Sequence, residues 1–122
     1  MSTYINELTE ATTTINKNDF NEVLAKIKYA ASADKWTQYG WRNDVLQAKT
    51  LIDVMNIFNI ELSGDENGNY RPIINNVYLS SFFDDLVHII APYMTDGKII
   101  VDDGYFTTIV TFNNHDVQID KS

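Results

Sequence analysis

The chain has 122 residues, is 44% hydrophobic and 12% aromatic, and carries a formal net charge of −8. That length and composition fit one globular domain with its own core and exclude a disordered chain, while the acidic balance disfavours direct binding to a phosphate backbone. The absence of cysteine excludes a disulfide framework, a thiolate metal site and a cysteine nucleophile.

Taken in chain order, Ile5, Leu8, Ala11 and Ile15 recur at helical spacing and predict a first helix from about Thr3 to Ile15. The β-branched run Thr12-Thr13-Thr14 weakens that helix. Asn18 or Asp19 is expected to cap a second one, with Phe20, Val23, Leu24, Ile27 and Ala31 as its apolar stripe and Glu22, Lys26 and Lys28 in solvent. The aromatic loop Lys35-Trp36-Thr37-Gln38-Tyr39-Gly40-Trp41-Arg42 follows. Asn43 or Asp44 then caps a third helix over residues 44–58, where Val45, Ala48, Ile52 and Met55 share a face widened by Leu51, Val54 and Phe58.

Residues 57–62 turn into a strand, residues 63–69 carry a strong turn signal, and residues 70–74 form a return strand. Ser81 and Asp84 form a Ser-x-x-Asp capping box at the start of a fourth helix. Phe83, Leu86, Val87 and Ile90 are its buried stripe, and Pro92 marks its end or a kink in it. After Thr95-Asp96-Gly97 the apolar period changes from helical to alternating. Residues 98–101, 105–112 and 117–119 read as three strands, joined by Asp102-Asp103-Gly104 and Asn113-Asn114-His115. The expected fold is α+β, with N-terminal helices packed on a mostly antiparallel sheet and a C-terminal helix followed by a three-stranded meander. It is one domain: residues 1–58 mainly helical, 59–80 turn and hairpin, 81–94 helix, 98–120 meander. No internal repeat or low-complexity linker divides it.

The charge is unevenly placed. Residues 1–50 hold six acids and six bases, whereas residues 51–122 hold eleven acids and three bases, so the whole excess lies in the second part. Such a surface attracts and steers a basic partner. Asp84, Asp85, Asp96, Asp102, Asp103, Asp116 and Asp120 gather in the helix–meander unit and would form one negative rim if the turns meet at one end of the sheet. Asp before Gly is also ordinary turn chemistry. Trp36, Tyr39 and Trp41, beside Lys35 and Arg42, make the other candidate surface, since Trp, Tyr and Arg dominate binding hot spots. The competing reading plugs the tryptophans into the core.

Catalytic and metal readings are weaker. The acidic turn Asp65-Glu66-Asn67-Gly68-Asn69 places oxygens at alternate positions, but an EF-hand needs glycine sixth and glutamate twelfth, where this chain has Tyr70 and Asn76. Ser81, Asp85 and His88 share a helix face, but a hydrolase triad draws its members from separate elements. Asp85 with His88, or His115 with Asp116, supplies only two metal ligands. No glycine-rich phosphate loop is present, and nothing points to a cofactor.

The expectation is therefore a small acidic, non-enzymatic binding protein, an inhibitor or adaptor docking on a basic protein. A nuclease or other nucleic-acid-binding effector is the partner in mind, as for phage anti-defence proteins and bacterial immunity proteins. Abundant Asn and Ile with few Gly and Pro fit an AT-rich genome of a low-GC bacterium or its phage. The partner-binding candidates are Asp84, Asp85, Asp96, Asp102, Asp103, Asp116, Trp36, Tyr39 and Trp41. The alternative is a small-ligand binder or enzyme with a pocket between the aromatic loop and the sheet, and the third reading is a structural or homo-oligomeric protein. With neither a basic leader nor an apolar run at the N-terminus, and no stretch near the ~18 apolar residues of a membrane span, a cytoplasmic location is expected.

Overall fold

The N-terminal segment departs furthest from its helical spacing. In the computed structural model, which describes residues 7–33, 40, 42–74, 81–102 and 107–121, Glu7–Ala11 is strand β1 and Ile15–Asn16 is strand β2. β1 pairs antiparallel with β5 (Gly97–Asp102), Leu8 opposite Val101 and Ala11 opposite Ile99, with a register shift between Leu8 and Glu10. The helix expected to Ile15 is thus overturned across residues 7–15. The reason lies in Thr12–Thr14. Thr12 N–H donates to the Lys98 carbonyl and Lys98 N–H to Thr12 Oγ1, both at 2.9 Å. Thr13 Oγ1 donates to the Thr95 carbonyl at 2.5 Å, and Thr95 N–H to the Thr14 carbonyl at 2.9 Å. Three β-branched residues favour an extended chain, and here they bond to a partner more than eighty positions away.

This threonine segment carries the chain between two antiparallel sheets. The first has strand order β1-β5-β6-β7, with β6 at Thr107–Asn113 and β7 at Asp116–Lys121. The three-stranded meander is therefore present, with residues 105 and 106 outside the described residues. The second sheet has order β2-β4-β3, with β3 at Ile60–Gly64 and β4 at Asn69–Ile74, as the hairpin signal predicts.

Helix α1 (Phe20–Ser32) buries Val23, Leu24, Ile27 and Ala31 as its stripe requires. Its start differs in detail from expectation. Asn16 Oδ1 accepts from Asn18 N–H at 2.9 Å and opens a 3-10 turn over Lys17–Asp19, and Asp19 makes no capping bond through its side chain. The single third helix is also overturned, because two helices stand there, α2 (Arg42–Gln47) and α3 (Leu51–Ile57). Thr50 is the cause. Its Oγ1 accepts from Asp53 N–H at 3.1 Å, capping a new helix start. The break turns Ile52 outward, to 36% exposure, while Leu51, Val54, Met55 and Phe58 stay buried.

The cap gives a first expected outcome. Thr50→Ala should lower stability by about 1 kcal/mol, read as a lower urea midpoint at unchanged slope. An unchanged midpoint would mean that packing alone sets the break.

Helix α4 (Ser81–Ile90) runs into a 3-10 turn at Ala91–Tyr93 containing Pro92. Its Phe83, Leu86, Val87 and Ile90 enter one core with the helices and both sheets. The Ser81 side chain, and with it the proposed capping box, lies outside the described residues.

Candidate interaction surface

The β6–β7 hairpin positions the best-defined acids. Asn114 and His115 form its turn, both with positive φ, at 55° and 66°. Asn and His tolerate that region better than most residues. Along β6, Thr108, Val110 and Phe112 are buried while Thr107, Ile109 and Thr111 are half-buried. Residues directly opposite in an antiparallel pair share a face. Opposite the buried positions stand Lys121, Ile119 and Val117 of β7. Opposite the other face stand Asp120, Gln118 and Asp116, all exposed. β7 thus presents a carboxylate at each end of its outer face and an amide between them. Gln118 Nε2 donates to Asp120 at 3.3 Å.

Among the described residues the acids do not all gather at one end of the sheet. Asp96 Oδ1 accepts from Asn114 N–H at 3.0 Å, which ties the start of β5 to the hairpin turn beside Asp116. Asp102 is at the other end of β5, opposite Thr107 and Glu7, roughly 17 Å along a strand at ~3.3 Å per residue. Its side chain, and Asp103 altogether, lie outside the described residues. Asp84 sits in the first turn of α4 with Oδ1 3.6 Å from Lys121 Nζ, so one of the few bases in this half is held by one of the candidates. Asp85, half-buried, is engaged as well. The register that brings Glu7 to Asp102 could not be read from sequence.

Trp36, Tyr39 and Trp41 lie outside the described residues. Of that loop's bases, Arg42 is used structurally. Its Nε donates to the Ala31 carbonyl at 2.7 Å, satisfying an acceptor at the end of α1. His88 is exposed and its Nδ1 lies 2.7 Å from the Asp84 carbonyl. A carbonyl only accepts, so that nitrogen carries the proton and is not turned to a carboxylate. Asp65 accepts from Asn67 and Asn69 N–H at 2.9 and 3.0 Å, which makes the acidic turn an Asx turn. Among the described residues no three His, Cys, Asp or Glu converge as metal ligands.

One cluster escaped sequence reading. Between α1 and α4 runs a mainly apolar groove lined by Ala25, Lys26, Tyr29, His88, Ile89 and Pro92. Tyr29 is 79% exposed there. Nearby, Tyr93 O–H donates to Glu22, and Lys26 Nζ stands 5.0 Å from the centre of the Tyr93 ring. Hydrogen bonding to Tyr93, with its charge and that of Glu22, raises the Lys26 pKa above its ordinary value. Glu22, Lys26 and Tyr29 lie on one side of α1 by spacing, but Tyr93 joins them only through the fold.

No protein-family model, curated protein or solved structure matches this chain. No helix among the described residues is long and apolar enough to cross a membrane.

Proposed function

We propose that this chain is a non-enzymatic acidic binding protein, an inhibitor or adaptor that docks its C-terminal sheet on a basic protein. The observation that carries the reading is the outer side of β7. Asp116 and Asp120 are exposed there, in the part of the chain that holds the entire net charge. Charge so placed raises encounter rates with a cationic surface and rejects anionic ones. Nucleases and other nucleic-acid-binding effectors are the class of protein with such surfaces, which supports an anti-defence or immunity role.

The test begins with capture of partners from cell extract and their identification by mass spectrometry, followed by stopped-flow association. Raising salt from about 0.05 to about 0.5 M should slow association roughly tenfold, because exposed charges are screened beyond about 8 Å at physiological ionic strength. Asp116→Asn with Asp120→Asn should slow it by roughly threefold at low salt. Asp53→Asn with Glu61→Gln, on α3 and β3, should leave it unchanged. Salt-independent rates, or equal effects from both pairs, would overturn the reading.

A further inference from the structure

We propose that β7 receives an extended segment of a basic protein as a fifth strand, main chain to main chain, with Lys or Arg at alternate positions beside Asp116 and Asp120. This rests on the acidic-docking reading above and adds how the partner is held.

The hairpin decides which backbone groups are open. A two-residue turn with positive φ at both Asn114 and His115 is the type I′ connection, in which the residues flanking the turn exchange both main-chain hydrogen bonds. Those are Asn113 and Asp116, and the exchange recurs at every second pair, Thr111 with Gln118 and Ile109 with Asp120. Asp116, Gln118 and Asp120 therefore bond to β6. Val117, Ile119 and Lys121 direct their N–H and C=O groups away from it, toward the side where no strand stands among the described residues. Val117 N–H is held by Asp116 Oδ1 at 2.8 Å. Among the described residues the Ile119 and Lys121 N–H groups and the Val117 and Ile119 carbonyls form an open row, the template that strand addition uses.

Side chains select the occupant. Val117 and Ile119 pack against the core, so the added strand meets exposed Asp116, Gln118 and Asp120 on the outer face. Cross-strand pairing rewards opposite charge and penalises like charge. A second copy of this chain fits poorly. A twofold register centred on Gln118 sets Asp116 against the Asp120 position of the other copy, twice, and one centred on Ile119 sets Val117 against a lysine. A strand with cations at alternate positions meets neither penalty.

The probes are a capped peptide Lys-Val-Lys-Val-Lys-Val and the same peptide N-methylated throughout, titrated into isotope-labelled full-length protein. Methylation of the main-chain nitrogens keeps every charge and removes the main-chain N–H donors. The plain peptide should slow amide exchange at Ile119 and Lys121, and the methylated one should bind at least about tenfold more weakly, the equivalent of one or two hydrogen bonds. Ile119→Pro removes an N–H that β6 does not use, and proline is tolerated on edge strands. Peptide binding should be lost while the fold, checked by circular dichroism, persists. If that variant unfolds, the methylated peptide alone decides. Equal binding of both peptides overturns strand addition and leaves acidic docking standing. Failure of both, with salt-dependent partner association intact, overturns it too. Salt-independent partner association removes the underlying reading. A concentration-dependent dimer in sedimentation, lost in Ile119→Pro, would make a second copy the occupant and overturn the proposal.

Discussion

Phe112→Ala is expected to cost about 3–5 kcal/mol, the largest loss of any substitution considered, as befits deletion of a buried aromatic ring. Phe112 is 1% exposed and lies on the inner strand β6, between Gly97 of β5 and Val117 of β7. Its two cross-strand neighbours are thus a residue with no side chain and a half-buried valine. Neither can swing into the space the ring vacates, so the cavity persists and its cost adds to the lost transfer energy. Against a total stability of about 5–15 kcal/mol for a domain of ordinary size, that loss is a large fraction of the whole. Urea unfolding followed by tryptophan fluorescence and by circular dichroism measures it, with coincident curves required for a two-state reading. A loss below about 1 kcal/mol would mean that the sheet repacks around the gap, and that β6 is not at the centre of the core.

Local signals were legible wherever a segment meets its partner nearby. Phe20, Val23, Leu24, Ile27 and Ala31 define α1 because four of the five are buried by neighbouring elements at helical spacing. The meander announced itself through the alternation after Gly97 and the Asn113-Asn114-His115 turn. What failed depended on distant pairing. Leu8 and Ala11 sit at a spacing that a helix also satisfies, and only the register with Val101 and Ile99 makes that segment a strand. The threonine run was the one local sign against a helix. In the third helix the sign was Thr50, with Asp53 three residues on, which marks a helix start. The long apolar face from Val45 to Phe58 concealed it. The acidic character of the C-terminal part could be counted from the chain. Which carboxylates share a face could not, since Asp116 and Asp120 are brought together by the parity of β7, while Asp96 is drawn to the turn by Asn114 N–H.

Gly97→Ala tests the crossing between the two sheets and should cost about 2–3 kcal/mol. Gly97 has φ +158°, and a Cβ placed there would lie 2.8 Å from both the carbonyl carbon and the oxygen of Thr12. These are main-chain atoms, so no rotamer change relieves the contact, and overpacking of this kind typically costs 1–3 kcal/mol. Thr12 cannot withdraw cheaply, because it exchanges hydrogen bonds with Lys98 through both its N–H and its Oγ1. Backing away would break the bonds that hold the threonine segment in its extended course. Gly40→Ala is the matched control, since a Cβ there meets nothing within 4 Å, and its effect should stay within about 0.5 kcal/mol. The two variants are compared by urea midpoint. Amide exchange at Thr12 and Lys98 should also quicken in Gly97→Ala relative to the rest of β5, because the strain is released first where those bonds open. Equal midpoints for the two variants would show that the threonine segment after β1 and the start of β5 are not in close contact. The pairing that replaces the expected N-terminal helix would then have to be redrawn.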